Sequence, residues 1–183
     1  MRLIGIAGYS GAGKTCLVER LVALLREKGL RVSVIKHAHH RFDIDHEGKD
    51  SWRHRQAGAY EVLVASDRRL ALMREFEQPV ELSVHDMVAE LDPAVDWVLA
   101  EGFKHGDLPR IEVWRQLPDI REPARPRQPL YPHDARVIAV ATDDAASLPA
   151  PAAVPVLDLN QPRAILQWLL AQGARLDYVP APS

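Results

Sequence analysis

Gly8-Tyr9-Ser10-Gly11-Ala12-Gly13-Lys14-Thr15 fits the pattern G-x-x-x-x-G-K-[ST] of a phosphate-binding loop. Upstream, residues 3–7 are apolar apart from Gly5 and read as a strand buried on both faces. Downstream, Leu17, Leu21, Leu24 and Leu25, with Val18 and Val22, recur at three- and four-residue spacing. That spacing predicts an amphipathic helix stopped by Gly29, with Arg26 and Lys28 suiting its C-terminal dipole. A strand, this loop and a helix in that order allow backbone N–H groups to converge on phosphates. Gly11 and Gly13 then let the main chain come close, Lys14 reaches the β- and γ-phosphates, and the Thr15 hydroxyl ligates Mg²⁺. Gly8, Ser10, Ala12 and Cys16 complete the nucleotide-binding stretch.

Outward from the loop, β-rich runs alternate with helical patterns, the sign of parallel strands joined by crossover helices. Strands are predicted at residues 31–35, 96–100, 111–114, 137–141 and 154–157, and helices near 49–57, 83–91 and 162–172. Residues 60–65 and 70–76, joined by Ser66-Asp67-Arg68-Arg69, read as a hairpin. The expected architecture is an α/β P-loop NTPase fold, a mostly parallel sheet flanked by helices with a β-hairpin extension. One domain is expected over residues 1–173. Within it, residues 115–136 carry Pro118, Pro123, Pro126, Pro129 and Pro132, a spacing that forbids helix and central strand and predicts an extended surface arm. Residues 174–183 are expected as a flexible tail.

At 183 residues the chain suits one globular domain, and 23 Lys and Arg against 25 Asp and Glu leave none of the basic excess that duplex binding needs. Nucleic acid is not expected as a partner. The single cysteine, Cys16, cannot close an intrachain disulfide or furnish a four-cysteine metal site, which points to a reducing, cytoplasmic setting. No apolar run approaches the roughly 18 to 20 residues of a membrane span, and the N-terminal run is too short for a signal-peptide core.

A phosphate loop calls for an acid at the end of a neighbouring strand to hold Mg²⁺. Asp96 and Glu101 flank the 96–100 run. A parallel strand puts its C-terminal end beside the loop, whereas Asp96 lies roughly 16 Å back at 3.3 Å per residue, so Glu101 is preferred. Gly102 after it permits close approach. The loop Lys36-His37-Ala38-His39-His40-Arg41-Phe42-Asp43-Ile44-Asp45 follows the second strand, at the edge where open α/β sheets bind ligands. His37, His39 and His40 with Asp43 or Asp45 could supply a transition metal, although the spacing matches no closed zinc template. The alternative is an anion or partner loop, with Lys36, Arg41, Lys49, Arg53 and Arg55 for phosphate and Asp43, Asp45 or Asp50 sensing Mg²⁺. Arg53 and Arg55 also fit a solvated helix face, and Asp50-Ser51 fits a cap. After the 137–141 strand, Asp143 is placed to accept from N1 and N2 of guanine, although Asp143-Asp144 also suits an ordinary turn. Tyr9 stands where a subgroup of related ATPases carries a second lysine reaching across a dimer, which disfavours that nucleotide-sandwich arrangement.

The Gly8 to Thr15 loop, Lys36-His37-Ala38-His39-His40, Asp43-Ile44-Asp45, Gly48-Lys49-Asp50-Ser51, Ala57-Gly58-Ala59, Ala71-Leu72-Met73, Glu101-Gly102-Phe103-Lys104 and the run from Val137 to Asp143 together resemble the molybdopterin-guanine dinucleotide biosynthesis adapter family, MobB. The resemblance spans residues 3–172. It implies a P-loop fold of the signal-recognition-particle and MinD class, usually homodimeric, that binds GTP with Mg²⁺ and hydrolyses it slowly. It also implies an accessory role beside the molybdenum cofactor guanylyltransferase, with Mo-molybdopterin as a further cofactor to consider. Cys16 stands where the family prefers a second threonine, and Arg41 where an acid is common. Two other functions fit a phosphate loop in this setting: a small-molecule kinase, and a metal-delivery GTPase of the nickel-insertion type.

Overall fold

Leu3, Ile4, Ile6 and Ala7 have almost no exposed surface, because the first strand, β1 (Arg2–Ala7), is covered on both faces and flanked on both edges. The computed structural model describes residues 1–38, 42–104, 106–116 and 127–179. After β1 come α1 (Lys14–Glu27), β2 (Val32–Lys36), α2 (Asp50–Gln56), the strands β3 (Glu61–Ala65) and β4 (Leu70–Arg74), and α3 (Val84–Ala89). Then follow β5 (Trp97–Glu101), β6 (Arg110–Trp114), β7 (Val137–Thr142), β8 (Val156–Asp158) and α4 (Pro162–Ala171). Six strands form one sheet in the order β2-β5-β1-β6-β7-β8, and every pairing in it is parallel. The expected α/β architecture is what the chain adopts.

Two apolar layers sandwich that sheet. On one side Leu17, Leu21 and Leu25 of α1 and Ile165, Leu166 and Leu169 of α4 pack against Ile4, Ile6, Leu99 and Val113. On the other, Val84 and Val88 of α3 meet Leu3, Ile35, Val98 and Ala100. α3 is short, and its start is fixed by a capping box: the Ser83 hydroxyl accepts from the Asp86 N–H while the Asp86 carboxylate accepts from the Ser83 N–H.

The chain divides into two compact units, Met1–His37 with Ser83–Ser183, and Ala38–Leu82. The second unit holds α2 and the predicted hairpin, β3 and β4 pairing antiparallel from Glu61↔Arg74 to Ala65↔Leu70. Inside it, the Arg55 guanidinium joins Asp43 at 3.0 Å, Asp45 at 3.1 Å and Glu75 at 2.7 Å.

Two Pro-rich segments differ from expectation where they are described. Residues 127–136 are docked, not extended into solvent: Glu112, fully buried in β6, accepts from the N–H groups of Leu130 at 2.9 Å and Tyr131 at 2.8 Å. A buried carboxylate must find donors, and this segment supplies them. The Tyr131 side chain is buried, its hydroxyl donating to the Ala150 carbonyl at 2.6 Å. Residues 117–126 of the arm lie outside the described residues. Past Gly173 the chain stays attached as far as Tyr178, with Leu176 buried, the Tyr178 N–H donating to the Met1 carbonyl at 3.0 Å and its ring stacked on His85. An apolar anchor and an aromatic stack outweigh the Pro-rich composition there. Among the described residues no helix is long and apolar enough to cross a membrane.

Candidate nucleotide site

β1 ends where the loop begins, and its neighbours on either side decide what the loop can reach. The pairing Ile6↔Glu101 sets the end of β5 level with the end of β1, while Ala7 lies opposite Glu112 of β6. Gly8 turns the chain off the strand at φ 135°, where a Cβ would stand 2.3 Å from the Val113 carbonyl oxygen. Only glycine fits that approach. Gly13, at φ 101°, is the cap residue from which α1 starts, so the loop leads directly into the positive end of a helix. Ala12 is buried, while Ser10, Gly11 and Cys16 are exposed at the loop surface.

Lys14 and Thr15 both point into the site. The Lys14 ammonium donates to the Tyr9 carbonyl at 2.8 Å. Burial is the main cause that holds its pKa below the ordinary lysine value; Glu101 opposes the shift, and Lys104, Lys36 and Arg127 add to it. Cations gathered around one buried lysine make a field suited to polyphosphate. The Thr15 hydroxyl donates to a Glu101 carboxylate oxygen at 2.8 Å, and Lys36 stands 3.6 Å from that same oxygen. Glu101 is 6% exposed. A hydroxyl and a carboxylate side by side are hard oxygen donors of the kind Mg²⁺ takes together with phosphate and water. Gly102, at φ 99°, lets the chain pass the His37 carbonyl, from which a Cβ would be 3.2 Å. Asp96 lies at the other end of β5, accepting from the Arg31 N–H at 2.7 Å.

The remaining sequence-derived candidates fall in different places. Asp143, after β7, is ion-paired with Arg115 Nε at 2.8 Å, and the same guanidinium stands 3.5 Å from where a Cβ on Gly13 would be. Arg115 therefore spans from the loop to Asp143. His37 lies beside the Glu101 strand end, its ring 5.3 Å from that of Phe103. His39, His40 and Arg41 lie outside the described residues. Asp45 belongs to the second unit, where its carboxylate accepts from the Ser51 hydroxyl at 2.8 Å, the His46 N–H at 2.9 Å and Arg55. Lys49 is exposed just before α2, and Asp50 and Arg53 form an exposed pair at 3.9 Å. Among the described residues no group of three His, Cys, Asp or Glu side chains is placed to hold a metal ion.

Sequence reasoning missed Arg115 and Arg110. Arg115 had a readable signal, since it directly follows a strand whose C-terminal end faces the ligand edge of the sheet. Arg110 had none: an arginine opening an apolar strand gives no hint that its guanidinium, 1% exposed, donates to the carbonyls of Phe103, Lys104, Gly106 and Leu108.

Comparison with known proteins places this geometry in a family. Residues 3–143 match the model of "Molybdopterin guanine dinucleotide synthesis protein B". A molybdopterin-guanine dinucleotide biosynthesis adapter protein of Escherichia coli is 36% identical over 176 residues, 93% of this chain and 95% of that protein. Its counterpart in Haemophilus influenzae is 47% identical over 126 residues, 66% of this chain and 70% of the relative. The crystal structure of a MobB homologue from Bacillus stearothermophilus superposes with a TM-score of 0.67 at 26% identity, covering 94% of this chain and 97% of that one. Bacillus subtilis MobB shares the fold with a TM-score of 0.68, over 98% of this chain and 100% of its own.

Proposed function

This chain belongs to the molybdopterin guanine dinucleotide synthesis protein B family, and from that premise we propose that it is a GTP-binding adapter in molybdenum cofactor biosynthesis. It assists a guanylyltransferase that converts Mo-molybdopterin to its guanine dinucleotide form. The observation that carries the nucleotide part of this reading is the Thr15 to Glu101 contact of 2.8 Å beneath a glycine loop that opens a helix. Gly11, Gly13 and Lys14 would hold the phosphates, Thr15 and Glu101 the Mg²⁺, which neutralises phosphate charge when bound. Asp143, steadied by Arg115, would read the guanine edge. No residue of the sequence stands out as a base for fast hydrolysis, so slow turnover is expected. The protein acts as a homodimer in the cytoplasm.

Calorimetric titration with GTP and with ATP, each with Mg²⁺, tests this. GTP preference that disappears in Asp143→Ala, together with a guanylyltransferase complex that weakens in Lys14→Ala, supports the adapter. Equal or tighter ATP binding overturns the guanine reading in favour of a kinase. A partner complex indifferent to GTP overturns coupling through the nucleotide.

A further inference from the structure

Tyr9 faces two ways. Its carbonyl takes the Lys14 ammonium inside the phosphate loop, while its ring forms one wall of a cleft of about 470 Å³ with Lys104, Pro129, Leu130, His133 and Arg136. Lys104 also adds to the field around Lys14, whereas Pro129, Leu130, His133 and Arg136 have no part in the nucleotide chemistry above. We propose that the cleft is a second anion site, shaped for a small aromatic phosphate monoester and distinct from the phosphate loop.

Three features carry the assignment. The first is charge: Lys104 and Arg136 enter no ion pair among the described residues, and His133 stands beside them. The acid in the wall, Asp134, is already committed, accepting from the Arg136 N–H at 2.9 Å and lying 3.5 Å from the Arg110 guanidinium. An anion entering here meets Lys104, Arg136 and His133 against one carboxylate of the wall, Asp134, whose charge is paired with Arg110. The second is shape: the volume lies in the range of small-molecule sites and exceeds what a bare phosphate fills, while Pro129 and Leu130 give a ring something to lie against.

The third is rigidity. Buried Arg110 gathers the carbonyls of Phe103, Lys104 and Gly106, which fixes the loop that carries Lys104. Tyr9 is held at its other end, where its hydroxyl donates to the Gln128 carbonyl at 3.0 Å and accepts from the Gln128 N–H at 2.9 Å. Lys104 Nζ consequently sits 4.5 Å over the Tyr9 ring, a cation held on an aromatic face, with the Arg127 guanidinium 5.2 Å from the same ring. Preorganised charges of this kind bind without ordering cost.

The proposal stands on the cleft alone and survives if the chain binds no GTP. The test is calorimetric titration of the full chain with phenyl phosphate, with phenol as control. Saturable one-to-one binding is expected, at least about tenfold weaker for phenol and in each of Lys104→Gln and Arg136→Gln, and within about twofold of the parent in Lys14→Ala. Arg136 is exposed, so its variant folds and the comparison remains valid even if Lys104→Gln does not. Absence of saturable binding overturns the site. Loss in Lys14→Ala with retention in Arg136→Gln places the anion in the phosphate loop and overturns it too. A phosphotyrosine peptide that binds about tenfold tighter than phenyl phosphate overturns the small-molecule assignment in favour of a protein partner.

Discussion

Gly8 shows how sharply one residue can be constrained. Its positive φ and the 2.3 Å approach of the Val113 carbonyl leave no room for a methyl group. Gly8→Ala should therefore lose about 2–4 kcal/mol of stability, read as a fall in the denaturant midpoint. At Thr15 and Glu101 the effect should be functional. Thr15→Ala and Glu101→Gln are each expected to weaken the Mg²⁺-dependent part of GTP affinity by about 10- to 100-fold. The check is titration with and without Mg²⁺, and an equal loss in both conditions would count against a metal-side role. The places of the loop, of Glu101 beside it and of Asp96 at the far end of β5 were legible in the sequence, because each follows from strand direction and motif spacing. Arg110 was not, because its partners are main-chain carbonyls that no side-chain pattern marks; Arg115 had its place at a strand end as a signal, but its pairing with an aspartate far along the chain is hidden by distance in sequence.

At the scale of elements, boundaries followed punctuation. Gly13 and Gly29 bracket α1, Pro162 and Gly173 bracket α4, and Ser83 starts α3. Ser83→Ala should cost about 1 kcal/mol and fray α3, seen as faster amide exchange over residues 84–89. Residues 127–136 of the Pro-rich segment are docked where composition predicts an extended arm, because composition speaks of backbone freedom and not of an acid waiting beneath. Burial is the chief cause that raises the Glu112 pKa above the ordinary 4.5, with the Leu130 and Tyr131 N–H groups opposing it. A raised acid pKa means that the folded state holds the proton more tightly than the unfolded one. Its stabilising contribution is complete below about pH 4.5 and is lost as pH rises through the raised value. Glu112→Gln should remove that slope from a series of melting temperatures over about pH 4 to 7.

For the whole molecule, the parallel sheet and the hairpin followed from alternating patterns, whereas the division into two units did not, since no linker composition marks residues 38 or 82. In the smaller unit Arg55 is the hub of three carboxylates, whose mutual repulsion is offset only while it is present. Arg55→Met should raise amide exchange across residues 42–76 and leave that of residues 8–27 unchanged; a uniform rise would show that the units melt together. The strand order also bears on how the protein comes into being. β1 emerges from the ribosome first, yet its neighbours β5 and β6 start only at Trp97 and Arg110. Long-range parallel pairing of this kind is slow and comes late. A nascent chain that has emerged only as far as residue 96 carries the intact glycine loop with neither wall beside it, and one that has emerged to residue 109 has only the β5 wall. Affinity for nucleotide should thus switch on during translation at a definite length, well after the residues that carry it have been made.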